Sequence, residues 1–288
     1  MRTDIKQLKR PVLSVSRSTG RFTAGSRMLP SFLIVGAQRC GTTSLYRALA
    51  QHPLLRKPVL HKGVHYFDVA YDRGLRWYRA HFPLQVGAAL LARRYGGPAQ
   101  AYESSPYYLF HPLAGERIAA TLPDVKLIVL VRDPVERACS AHAHELARGF
   151  ETESHLETAL ELEEQRLAGA DELLRALPYG QHHSHRHHAY RARGRYADQL
   201  DRLSALFGRD RILVLDSHRF FTAPEPVYDR VLEFLGVPHL GHPVFERHNG
   251  RPAPRPVPRD LERSLREHFE PYDARLTSWL GEEPSWRR

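Results

Sequence analysis

The sequence predicts an α/β fold in three layers, with a mostly parallel sheet between helices, and three observations predict it. Short apolar, β-branched runs alternate along the chain with longer stretches of helical spacing, the order that builds parallel sheets through crossover helices. One run, "KLIVLV" from Lys126, is apolar without alternation, as expected of a strand covered on both faces. The stretch "SFLIVGAQRCGTTSLYRALAQHP", Ser31 to Pro53, reads as strand, glycine turn and helix, which makes the fold P-loop-like. Residues 30–288 are expected to form one such domain, a length sufficient for a sizeable core.

Residues 1–29 are expected to be a basic, disordered leader. Met1 to Arg27 carries seven Lys and Arg against one acid, Asp4, and Val12, Leu13 and Phe22 are too scattered to build an apolar face. The leader lacks the continuous apolar stretch of a secretory signal; its Arg- and Ser-rich, acid-poor make-up is weakly similar to an organelle transit peptide. Strands are expected at Phe32–Val35, Val64–Phe67, Ala101–Glu103, Lys126–Arg132 and Arg211–Leu215. Helices are expected at Thr43–Ala50, Gly74–His81, Leu113–Ala120, Val135–Arg148, His155–Leu167, His188–Phe207 and Pro226–Leu235, with a last one over Arg259–Glu270. Asp133 fits the N-cap before Val135 and Pro134 the first turn. "QVGAALLARRYGGPAQ" and "LPYGQHHSHRHHAY" read as excursions or loops, and "NGRPAPRPVP" as a proline-rich crossing segment. No internal repeat is visible.

Of 288 residues, 42% are apolar and 26% charged, ordinary values for a globular protein. No apolar run approaches the ~20 residues of a membrane span, so no integral membrane segment is expected. Two cysteines, Cys40 and Cys139, make a disulfide framework implausible; small buried residues, a reducing compartment and a cytoplasmic location are expected. The formal net charge of +10 predicts an anionic partner without choosing among nucleotides, sulfated sugars, nucleic acid and acidic membranes.

The glycine loop has a peculiarity. Gly36 and Gly41 have the spacing of the ATPase loop and Thr43 stands where that motif places Ser or Thr, yet the lysine position is Thr42. The cation is Arg39, inside the loop. Backbone N–H groups of Gly41, Thr42 and Thr43, with both Thr hydroxyls, can cradle one tetrahedral anion at a helix N-terminus. A second anion site is expected where Arg132 ends a strand and Ser140 lies two turns into the next helix.

Together, "FLIVGAQRCGTTSL" and "VRDPVERACS" resemble the 5′-phosphosulfate loop and the R-D-P-x-x-R-x-x-S 3′-phosphate motif of the sulfotransferases that use 3′-phosphoadenosine 5′-phosphosulfate (PAPS). The resemblance covers the chain from about Ser31 onward. "KGVHYFDVAYDRGLRWYRAHFP", "YESSPYYLFHP", "YDRVLEFLGVP" and "FERHNGRPAPRP" lean to the heparan-sulfate, carbohydrate-modifying type and its bacterial relatives. It implies sulfuryl transfer from PAPS to an acceptor hydroxyl, on a carbohydrate, with no metal required. It assigns donor binding to Arg39, Cys40, Gly41, Thr42, Thr43 and Ser44 on the 5′ side, and to Arg132 and Ser140 on the 3′ side.

Two departures concern the base. The heparan-type Glu before V-H-F-F-D is Gly63 here, and the Lys of E-K-x-P is Ser104. His65, retained after Lys62, has an unperturbed pKa near ~6.5 and is the first candidate base. Glu103 is the second, as base or as the group that orients the histidine. Asp68 is retained, and Lys62 can neutralise charge at the transferring group. The histidines of Gln181–His188 read as a polar loop or acceptor-binding lid more than as a metal site. The rival readings are a P-loop nucleotide kinase or NTPase, opposed by Thr42 in the lysine position, and a non-enzymatic nucleic-acid module, for which no motif is present. Acceptor identity and oligomeric state stay open.

Overall fold

The computed structural model describes residues 22–59, 61–177, 179–246 and 257–288. In chain order the elements are β1 (Pro30–Gly36), α1 (Thr42–Leu49), β2 (Leu55–Arg56), α2 (Tyr66–Val69), α3 (Leu75–Arg79), α4 (Gln85–Tyr95), β3 (Gln100–Ser104), α5 (Ala114–Thr121), β4 (Lys126–Val131) and α6 (Pro134–Arg148). Then come α7 (Leu156–Glu161), α8 (Glu163–Leu167), α9 (Ala170–Ala176), α10 (His183–His187), α11 (Tyr196–Phe207), β5 (Ile212–Asp216), α12 (Ser217–Thr222), α13 (Pro224–Leu235) and α14 (Arg259–Leu280).

The sheet runs β2-β3-β1-β4-β5, and every pairing is parallel. Consecutive strand residues point to opposite faces, yet β3 and β5 are buried throughout and β1 and β4 nearly so. Helices therefore cover both faces, giving the three layers the apolar runs required. β1 and β4 are central neighbours, with Leu33 against Leu127 and Ile34 against Ile128. Both glycine loop and R-D-P turn thus leave the same carboxyl edge, where open parallel sheets place their ligands. A smaller apolar cluster, Val135, Ala138, Tyr190, Leu265 and Phe269 among its members, joins α6 to α14.

Several expected elements are corrected. Val64–Phe67 is not a strand: α2 starts at Tyr66, and the amides of Tyr66 and Phe67 donate to Tyr108 Oη instead of a ladder. The sheet edge is taken by Leu55–Arg56, too short to read from periodicity. "QVGAALLARRYGGPAQ" contains a helix, α4, stopped by Gly96 at φ 71°. His155–Leu167 breaks in two at Leu162. The helix expected from His188 begins at Tyr196, because Glu163 takes the Arg191 and Ala192 amides at 2.7 and 2.8 Å. The last helix runs through Pro271 to Leu280, held by buried Leu265, Phe269, Leu276 and Trp279. In the leader, residues 1–21 lie outside the described residues, but Ala24 and Met28 are buried and Met28 N donates to Pro83 O at 2.9 Å. Most of "NGRPAPRPVP" likewise lies outside them.

Candidate active site

The glycines of the loop are fixed by crowding and by dihedral. A Cβ on Gly36 would lie 2.5 Å from Leu109 Cδ2; Gly41 sits at φ 85°, and its Cβ would lie 3.0 Å from the Phe221 ring. No larger residue keeps both the turn and the packing. Ala37 N donates to Leu130 O at 2.8 Å, tying the loop to β4. Cys40 turns inward: its thiol meets Tyr196 Oη at 3.5 Å and its amide donates to Ala37 O at 3.3 Å. Burial raises the thiol's pKa, and the Cys40 side chain packs the loop from within the core. Ser44 is buried, 3% exposed.

The lysine missing from the loop arrives from elsewhere. Lys62 Nζ donates to Thr42 Oγ1 at 3.1 Å and to Thr43 Oγ1 at 2.9 Å. Burial, and after it the charge of Arg47, pulls its pKa down to about 7 against the opposing pull of Glu103. Arg39, in left-handed backbone at φ 72°, donates from Nε to Ser140 Oγ at 3.0 Å. The two anion motifs, 101 residues apart, are therefore in contact. Arg132 forks onto Glu136 Oε2 at 2.8 and 2.6 Å. That pair is largely exposed on its glutamate side, 59%, and worth about 0.2–1 kcal/mol, so an incoming phosphate can displace it. Asp133 caps α6 through the Val135 amide at 2.8 Å, as expected of an Asp-Pro start. Tyr196 Oη donates to Arg132 O at 3.0 Å while meeting Cys40, bracing both loops at once.

His65 and Glu103 have opposite environments. Glu103 is fully buried and accepts from Val64 N at 2.7 Å, Ser105 Oγ at 2.6 Å, Tyr108 Oη at 2.7 Å and Tyr78 Oη at 3.1 Å. Burial raises its pKa, and the four donors resist that. Each oxygen already has two donors, so Glu103 buttresses the His65 segment and has no lone pair to offer an acceptor. His65 retains 36% side-chain exposure and holds Asp68 Oδ2 with Nδ1 at 2.7 Å. Burial disfavours its charged form, but the charge and hydrogen bond of Asp68, with Glu103 behind, outweigh burial and raise its pKa. A carboxylate on Nδ1 keeps the proton there and leaves the lone pair on Nε2, which lies beside Gly63. Gly63 shows why no side chain stands before this histidine: a Cβ would lie 2.6 Å from Ser104 O and 2.9 Å from Ser105 Oγ.

Of the residues singled out from sequence, Arg39 meets Ser140, Lys62 meets Thr42 and Thr43, and His65 meets Asp68, while the Cys40 thiol turns inward and Glu103 is engaged by four donors. Beneath the loop is a network with no sequence signal. Arg193 donates to Gln38 Oε1 and to His185 O and Arg186 O, Gln38 Nε2 donates to Glu145 Oε1 at 3.3 Å, and Glu145 Oε2 meets His187 Nδ1 at 2.9 Å. Its members are 38 against 145, 187 and 193, distances no local pattern spans. The histidine-rich segment is accordingly a short helix docked under the loop. Among the described residues its histidines form no converging ligand set. An open groove of about 780 Å³ leads away from Thr43 and Lys62, with Arg47, Lys57 and His61 on its walls and Glu246 at one side.

Strand, loop, helix and second anion turn define the sulfotransferase class, and the comparisons agree: the sulfotransferase domain family matches residues 29–249, and the chain belongs to that family. It is 29% identical over 286 residues to human heparan sulfate glucosamine 3-O-sulfotransferase 6, covering 91% of this chain and 75% of that protein. It is also 29% identical over 231 residues to human bifunctional heparan sulfate N-deacetylase/N-sulfotransferase 3, covering 77% of this chain and 24% of that protein. Among solved structures, a sulfotransferase from Alicyclobacillus acidocaldarius superposes with a TM-score of 0.67 at 30% identity, covering 91% of this chain and all of that one. The protein is a sulfotransferase. No helix among the described residues is long and apolar enough to cross a membrane.

Proposed function

We propose that this sulfotransferase moves the sulfuryl group of PAPS to a hydroxyl of an anionic carbohydrate, releasing 3′-phosphoadenosine 5′-phosphate (PAP). The observation that carries the reading is Lys62 bridging the Thr42 and Thr43 hydroxyls three residues before the His65–Asp68 pair. A cation on the anion loop and a proton acceptor are thereby carried three residues apart on one segment. The acceptor hydroxyl gives its proton to His65 Nε2. Its oxygen attacks sulfur as the bond from sulfur to the bridging phosphate oxygen breaks, and PAP leaves with that electron pair. Lys62, Arg39 and the Thr42 and Thr43 amides stabilise the charge growing on the leaving phosphate. Arg132 and Ser140 receive the 3′-phosphate. The carbohydrate acceptor is supported by the heparan sulfate sulfotransferases among the relatives and by the basic walls of the groove beside Lys62.

Incubation with radiolabelled PAPS and a panel of N-sulfated and unsulfated uronic-acid oligosaccharides, phenols and lipids tests this directly. Label in the oligosaccharides is the expected result. Label confined to phenols or lipids overturns the acceptor, and no label in any acceptor overturns the donor.

A further inference from the structure

Away from these groups, three potential ligand atoms converge at one point on the surface. α13 presents Asp229 on its exposed side, and the chain after the helix brings His239 and His242 back to it. His239 Nε2 lies 3.1 Å and His242 Nε2 2.8 Å from the same oxygen, Asp229 Oδ1. All three ligand atoms lie within 4.8 Å of one another. Gly241, at φ 100°, reverses the chain between the two histidines, a conformation that strains any other residue. The two rings stand edge to face with centroids 4.6 Å apart. Each side chain is between 37% and 48% exposed, so a fourth position faces solvent.

A tetrahedral ion with bonds of about 2.0–2.2 Å sets its ligand atoms about 3.3–3.5 Å apart. The observed separations from Asp229 Oδ1 fall a few tenths short of that, a gap that small side-chain rotations open. Two imidazoles and a carboxylate without thiolate suit a borderline divalent first-row ion. We propose that Asp229, His239 and His242 form a zinc-type site with three protein ligands and one open position. His239 Nδ1 accepts the Gly241 amide at 3.3 Å; an ion on Nε2 moves the proton to Nδ1, so this long contact is exchanged for the metal bond. The ion fastens a segment with a position in the enzyme. His52 Nε2 meets Pro238 O at 2.9 Å, Gln51 brackets the Val244 backbone at 2.9 and 3.0 Å, and Val244 and Glu246 line the groove that starts at Lys62. A bound ion therefore stiffens one wall of that groove.

The test uses the full chain without a polyhistidine tag, freed of metal by chelator and titrated with Zn²⁺ in a calorimeter, with thermal unfolding alongside. One equivalent should bind with a dissociation constant on the order of micromolar. The melting temperature should rise with added Zn²⁺ as for any ligand of the folded state. Asp229→Asn and His242→Ala, both exposed changes that leave the circular dichroism spectrum intact, should each weaken binding at least tenfold. A His182→Ala/His183→Ala protein should bind as the wild type does. A wild-type chain that binds no Zn²⁺ overturns the site. So do Asp229→Asn and His242→Ala proteins that bind undiminished, or a loss that follows His182 and His183 instead.

Discussion

His65 owes its raised pKa to Asp68, and this coupling fixes the sign of a pH dependence. On the proposed reading His65 is the base and works only when neutral, so the acidic limb of kcat/KM should lie above the ~6.5 of an unperturbed histidine. Asp68→Asn removes the charge that raises it, and the limb should move to lower pH; a limb that stays in place contradicts the pairing. Removing the imidazole itself, as in His65→Ala, should lower kcat by about 10²–10⁴ while PAP affinity, measured by calorimetry, hardly changes. Glu103→Gln separates the two candidates by a different readout. Its buried carboxylate accepts from four donors, and an amide presents two N–H groups to donors that also need acceptors. Denaturant unfolding should show a loss of about 1.5–3 kcal/mol. A Glu103→Gln protein that keeps wild-type stability and PAP binding but has no turnover would hand the base role to Glu103.

The β4–α6 turn carries the donor prediction at the level of elements. On the proposed reading, only PAP offers a phosphate to Arg132 and Ser140, so it should bind roughly ten- to a hundredfold better than AMP, about 1.5–3 kcal/mol. Equal affinities in calorimetry would remove the 3′ role from these residues. The turn was legible in the sequence because its signals are local: an apolar strand, an Asp cap, a Pro at the first turn and a hydroxyl two turns on. The loop after β1 was legible for the same reason. α2 was not, because Tyr108, more than 40 residues later, supplies the acceptor that lets Tyr66 and Phe67 leave the sheet. β2 was hidden by its length of two residues. The Lys62 bridge was half visible: its residue type and nearness to His65 could be read, whereas its reach to Thr42 and Thr43 depends on its carbonyl accepting the Ser104 amide, 42 residues later, at the end of β3. The four-donor commitment of Glu103 depended on Tyr78 and Ser105 among its partners and had no sequence signal.

Across the whole molecule, the turn before α11 packs against both α6 and α14. Gly194 there has no room: a Cβ would lie 2.5 Å from the Phe269 ring and 3.1 Å from Pro134 Cβ. Gly194→Ala should therefore cost about 1–3 kcal/mol by overpacking, seen as a lower denaturant midpoint with an unchanged slope. An unaltered midpoint would show that α6 and α14 give way there without penalty. The placement of β1 beside β4 has a consequence for how such an enzyme can change. Adjacent strands stand about 4.7–4.9 Å apart, a spacing set by backbone hydrogen bonds that no side-chain substitution alters. On the proposed reading, the sheet is a ruler for the donor, with one mark at the end of each strand, and a nucleotide whose second phosphate sits elsewhere on the ribose misses a mark. The opposite wall has no such gauge: Lys57 and His61 lie outside the strands, and the Val244 backbone is held by the side chain of Gln51. Lineages built on this frame are free to exchange acceptors by redrawing that wall, while the currency of the reaction stays minted in the backbone.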